Sequence, residues 1–151
     1  MLPDTAPRRV LILGMGGGTI AHLLLGRFGP LSITGVERDP RVIRLGLSAF
    51  GLDRQEVELL EGDAFAFAST ASGPYDYIAV DLFAASAVPP RIFTRPFLKD
   101  VRRLLTRGGL AAFNYFKDRR TAQHAAALQA VFPRVSVVES NKNLIARCRA
   151  R

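Results

Sequence analysis

The chain has 151 residues, 48% of them hydrophobic, and 21 Lys and Arg against 13 Asp and Glu give a formal net charge of +8. That length suits one domain with its own core, so a single domain over 1–151 is expected. The lone cysteine, Cys148, excludes an internal disulfide and a cysteine zinc site, and no apolar run nears the ~20 residues of a membrane span.

Met1–Pro7 has no basic start followed by an apolar stretch, so a cytoplasmic location without membrane contact is expected. The basic residues, nearly all Arg, are spread along the chain. The charge therefore reads as compositional bias, and nucleic acid is not an expected partner.

Short apolar runs alternate with helical patterns, which implies parallel βαβ units. Val10–Leu13 reads as a strand buried on both faces, and after a glycine turn Ile20–Phe28 reads as a helix. Leu31–Val36 is a second strand. Asp39-Pro40 opens the next helix as N-cap and first helical residue, and Gly51 can end it. Val57–Leu60 is a third strand, and Tyr75–Val80 a fourth that ends at Asp81.

Thr94 can cap a helix whose apolar positions run from Phe97 to Leu105, and Gly108-Gly109 breaks it. Leu110–Phe116 is a fifth strand. Asp118 can cap the Ala-rich helix Arg119–Phe132, closed by Pro133. The last two strands, Val135–Glu139 and Leu144–Cys148, flank turn formers and predict an antiparallel hairpin.

Gly14-Met15-Gly16-Gly17-Gly18 lies between the first strand and the first helix. Such a loop lets a ligand reach bare backbone, and the helix start favours a carboxylate or phosphate. Glu37 closes the second strand, where an acid can accept from both hydroxyls of a ribose, and Arg38 flanks it. Asp63 can accept from an adenine amino group or cap a helix, and Ala64 leaves room for a ring. Asp81 stands at the carboxyl end of the fourth strand, where it could act as a base, orient a substrate amine, cap the next segment or bind the cofactor's amino group. His22 reads as structural and His124 as a surface residue, and neither belongs to a metal cluster. Arg95, Lys99, Arg102 and Arg103 read as a solvated helix face; Arg147, Arg149 and Arg151 share a strand face that could shield an edge.

The stretches Leu11–Gly18, Val36–Pro40, Glu61–Ala64 and Tyr75–Asp81, with Pro89-Pro90, Phe93-Thr94 and Arg107–Leu110, resemble the spermidine synthase-like branch of the transferases that use S-adenosylmethionine (SAM). The resemblance implies a Rossmann-like class I methyltransferase fold, α/β, with a mostly parallel seven-stranded sheet and a C-terminal antiparallel hairpin. It implies that Gly14, Met15, Gly16, Gly17 and Gly18 hold the aminoacyl end of SAM, that Glu37 meets the ribose with Arg38 also at the cofactor, and that Asp63 and Ala64 meet the adenine. Asp81 matches the acid that deprotonates the attacking amine.

Two carboxylates of spermidine synthases are replaced here, by Gly17 in the loop and by Ala84 three residues after Asp81. Both help to hold cationic amino groups. Those enzymes also place a β-rich domain before the first strand, and only about seven residues precede it here. The expectation is therefore methyl transfer from SAM to an unidentified small-molecule acceptor, with a homodimer as a candidate source of the missing wall. The rivals are aminopropyl transfer from decarboxylated SAM and a non-catalytic SAM-binding or scaffold module. A nicotinamide enzyme would need glycine where Thr19 stands.

Overall fold

A computed structural model describes residues 1–52, 57–84 and 87–150. The strands are β1 (Arg9–Leu13), β2 (Ser32–Glu37), β3 (Val57–Glu61), β4 (Tyr75–Val80), β5 (Leu105–Phe116), β6 (Arg134–Ser140) and β7 (Asn143–Arg149). The helices are α1 (Thr19–Phe28), α2 (Pro40–Phe50), α3 (Ala64–Thr70), α4 (Arg95–Leu104) and α5 (Thr121–Gln129). The seven strands form one sheet in the order β3-β2-β1-β4-β5-β7-β6. Strands β1 to β5 pair in parallel; β7 runs antiparallel to both β5 and β6. The mostly parallel sheet and the terminal hairpin are as the sequence implied.

Successive side chains of a strand point to opposite faces, so a strand covered on both sides must be apolar throughout. In β1, Leu11 and Leu13 enter one core cluster with α4, while Val10 and Ile12 enter the other with Ala21 and Leu24 of α1. Helix α4 buries Phe97, Leu98, Val101 and Leu104 at helical spacing, which docks it on the first cluster.

The structure redraws several sequence-based boundaries. Strand β5 begins at Leu105, not Leu110, and carries Gly108-Gly109 within it, because pairing with β4 resumes through an irregular register at Tyr75 and Tyr77. Helix α5 covers Thr121–Gln129, shorter than Arg119–Phe132, because Asp118 forms its own turn. Its carboxylate accepts the Arg120 N–H at 2.8 Å and its backbone exchanges hydrogen bonds with Thr121. Thr94 takes the N-cap position of α4, but its hydroxyl donates to the Arg91 carbonyl instead of capping.

The basic face of α4 is exposed as expected, but two of its arginines also make contacts the sequence did not show, and the arginines of β7 differ from expectation. Arg102 donates to the Val131 carbonyl at 2.6 Å, and Arg103 donates to the Ala68 and Ala71 carbonyls at the end of α3. These guanidiniums tie α4 to its neighbours and satisfy carbonyls that a helix end leaves unpaired. Strand β7 lies inside the sheet, so Arg147 and Arg149 do not guard an edge; both reach Asp4 of the N-terminal segment. Arg151 lies outside the described residues. Among the described residues no helix is long and apolar enough to cross a membrane.

Candidate functional site

From β1 the chain winds outward one way to β2 and β3, and then resumes on the other side at β4. The crossover connections thus part at the carboxyl ends of β1 and β4, which opens a crevice there. The glycine loop and Asp81 both occupy this point.

The loop is folded back by its own backbone. The N–H groups of Gly14 and Met15 both donate to the Val36 carbonyl at 3.0 Å. Gly14 has φ +88, and a Cβ there would overlap the Asp81 carbonyl oxygen. No other residue type fits without moving β4. Gly16 has φ +54, and a Cβ there would meet nothing within 4 Å, so open space lies above it. Gly17 instead faces the Phe50 ring, and Gly18 packs on Leu52.

Glu37 closes the crevice on the β2 side. Its Oε2 accepts the Gly16 N–H at 3.0 Å, and its Oε1 accepts those of Arg38 and Asp39 at 2.9 and 3.1 Å. A carboxylate has about four lone-pair sites, so about one remains for a ligand hydroxyl where two were expected. Beyond it, Asp39 caps α2, and its bond to the Arg41 guanidinium holds its carboxyl well below the usual carboxylate range.

Asp63 is the N-cap of α3 and its Oδ1 accepts the Ala66 N–H at 2.9 Å. The cap role is thus realised, and Oδ2 makes no bond among the described residues. Phe65 follows; its ring meets Phe97 edge-on at 4.7 Å and carries the Arg91 guanidinium at 4.6 Å. Sequence reasoning missed Phe65, because nothing marks an aromatic in the first turn of a helix as facing a crevice.

Asp81 follows β4, and its N–H donates to the Leu13 carbonyl at 2.8 Å. Burial pushes its carboxyl above the usual range, partly offset by a 2.7 Å hydrogen bond from Asn114 Nδ2. A carboxylate poised this way is better matched to accepting a proton near neutral pH than an exposed one.

A cavity of about 440 Å³ lies among these groups. Gly14, Gly16, Glu37, Arg38, Asp63, Ala64 and Asp81 line it, with Asp39, Phe65 and Pro89 among the further walls. Met15, Gly17 and Gly18 do not. Met15 is buried beneath the loop, where its sulfur leaves no space for a Cβ on Gly35. A roomier depression of about 720 Å³ lies between Asp4, Phe132 and Arg149, away from the switch point and from every loop glycine. Among the described residues no three His, Cys, Asp or Glu side chains gather as a metal site. His124 is not a surface residue: its ring stacks on Phe93 at 3.8 Å.

The chain as a whole is similar to known proteins. The family model for the spermine/spermidine synthase domain matches residues 1–139. The chain belongs to this family. It is 28% identical over 131 residues to the polyamine aminopropyltransferase of Vibrio vulnificus, covering 84% of this chain and 44% of that protein. It is 32% identical over 136 residues to the N-terminal histidine N-methyltransferase of Emericella nidulans, covering 85% of this chain and 24% of that protein. The chain thus spans less than half the length of either relative. The crystal structure of human methyltransferase-like protein 13 in complex with SAH superposes with a TM-score of 0.84 at 25% identity, covering 94% of this chain and 71% of that one. The fold is the Rossmann-like methyltransferase fold.

Proposed function

We propose that this chain binds SAM and transfers its methyl group to a small-molecule acceptor. The observation that carries the reading is the cavity at the switch point, where one acid, Glu37, ties the end of β2 to the glycine loop. The donor set suits the cofactor. Glu37 would accept a ribose hydroxyl, Asp63 Oδ2 an adenine amino group, and the open space above Gly16 would take the aminoacyl end. Phe65, also in the cavity wall, offers an apolar surface for the adenine. SAM, when bound, supplies an electrophilic methyl on a sulfonium. Asp81 orients the incoming nucleophile and takes its proton on the oxygen that Asn114 leaves free. Alignment and exclusion of water are the rest of what the protein contributes.

A second reading, aminopropyl transfer from decarboxylated SAM, is favoured by the likeness to the Vibrio enzyme. Against it stand Gly17 and Ala84, where an acid would hold a cationic amine. Ala84 instead makes a two-way backbone bridge with Ala87. A third reading is a SAM-binding module without turnover, completed by a second copy of the chain. We also propose a cytoplasmic location, which a chain with one cysteine and hence no internal disulfide is compatible with.

Calorimetric titration with SAM, decarboxylated SAM, S-adenosylhomocysteine and NAD in parallel tests this. The expected result is binding of SAM and S-adenosylhomocysteine in preference to the decarboxylated form. A preference for decarboxylated SAM moves the assignment to aminopropyl transfer, and binding of NAD alone overturns the cofactor reading.

A further inference from the structure

Asp81 is not alone at the end of β4. Asn114 of β5 donates through Nδ2 to Asp81 Oδ1 at 2.7 Å, and Asn143 at the start of β7 donates through Nδ2 to Asn114 Oδ1 at 2.8 Å. Asn114 and Asn143 stand on adjacent strands and Asp81 directly follows the strand on the other side of β5, since β5 pairs with β4 on one side and with β7 on the other. Their direction is fixed by chemistry. An ionised carboxylate only accepts, so Asn114 must turn its amide nitrogen toward Asp81. Its carbonyl then faces Asn143, which must donate. Each amide is thereby held in one of its two flips.

We propose that Asn114, itself held by Asn143, is a positioning residue that fixes the orientation of the Asp81 carboxylate and keeps it ionised in its half-buried place. This rests on the reading of Asp81 as the group that meets the nucleophile. A charge-assisted hydrogen bond stabilises the ionised form of a carboxyl group that burial would otherwise neutralise. It also engages one lone pair of Oδ1 and leaves Oδ2 without a protein partner among the described residues, so Oδ2 is the more open oxygen for a proton. Both asparagines also line a second cavity of about 540 Å³ beside Phe116 and Lys142, so the relay runs from the Asp81 cavity to the far side of β5. Among the described residues, the other charged groups around the Asp81 cavity are Glu37, Arg38, Asp39 and Asp63. Tyr77 lies four residues back, in β4, with its hydroxyl donating to the Met1 carbonyl.

The test is a carbon-13 NMR titration of the Asp81 carboxyl in the full chain, compared with Asn114→Ala and Asn143→Ala. The midpoint is expected to rise by about one pH unit in Asn114→Ala and by a smaller step in the same direction in Asn143→Ala. An unmoved midpoint in an Asn114→Ala protein that melts cooperatively overturns the proposal. If Asn114→Ala does not fold, an unmoved midpoint in Asn143→Ala overturns it. The titration needs neither cofactor nor acceptor. Its failure is therefore distinct from a failure to bind SAM, which calorimetry reads.

Discussion

The carboxylate of Glu37 accepts the Gly16 N–H at 3.0 Å, so the residue that ends β2 also holds the turn that ends β1. One side chain thus shapes the loop and presents an acceptor to the cavity. Replacing it removes both. Glu37→Ala is expected to weaken SAM binding by ~1–3 kcal/mol, the range for losing a partner of a buried polar group. Calorimetry checks this, and unchanged affinity would remove Glu37 from the cofactor site.

Gly14→Ala is expected to destabilise the fold by more than about 2 kcal/mol, because a strained left-handed φ and an overlap with backbone act together. The overlapping atom is the Asp81 carbonyl oxygen, which no rotamer change can move. Gly16→Ala has the same φ sign but open space, so it is expected to cost less. Denaturant melts of the two variants should rank them in that order. The reverse ranking would mean that the loop is not seated against β4.

Gly17→Asp tests which cofactor the loop tolerates. Position 17 has no left-handed φ, and the Phe50 ring beside it is a half-exposed side chain that can yield. Its side chain would start toward Phe50 and away from the cavity, so an acid there would repel the carboxylate of SAM, and spare decarboxylated SAM, only through its charge one residue from Gly16. The affinity ratio is expected to shift about tenfold toward the decarboxylated form, equivalent to about 1.4 kcal/mol. A constant ratio, read by parallel titration, would put the aminoacyl end away from the loop.

The Tyr115 hydroxyl is buried with no hydrogen-bond partner among the described residues. An unsatisfied buried hydroxyl is unfavourable, so Tyr115→Phe is expected to be neutral or to stabilise by about 1 kcal/mol. The ring contacts with Phe93 and His124 would be kept. A clear drop in melting temperature would mean that the hydroxyl has a partner in solution.

His124 stacks on Phe93 and its Nδ1 is buried without a hydrogen bond, so burial lowers its pKa, with Asp118 at 3.9 Å opposing this. The unfolded chain then takes up a proton near pH 6.5 while the folded chain does not. Stability is expected to fall as pH drops from about 6.5 toward the lower folded value, and to be unaffected by this group at higher pH. His124→Phe should flatten that part of a stability-against-pH curve. A curve of the same slope in the variant would assign the loss to other groups.

The sequence by itself determined the layers and the outline of the site. A short continuous apolar run such as Val10–Leu13, closed by glycines, fits a strand covered on both faces, and its buried side chains divide between two clusters as that demands. The glycine loop, Glu37, Asp63 and Asp81 were legible because each closes a strand or opens a helix, and such punctuation is local. Only the tertiary structure decided what those residues meet. Asn114 lies 33 residues from Asp81 and 29 from Asn143, and they touch only because β5 is inserted between β4 and β7. The inward turn of His124, the reach of Arg102 and Arg103 to neighbouring carbonyls, and the inner place of β7 share that origin. Periodicity and capping report forces acting within a few residues. Which side chains share a hydrogen bond across a sheet depends on strand order and register, which are set by the packing of the whole chain.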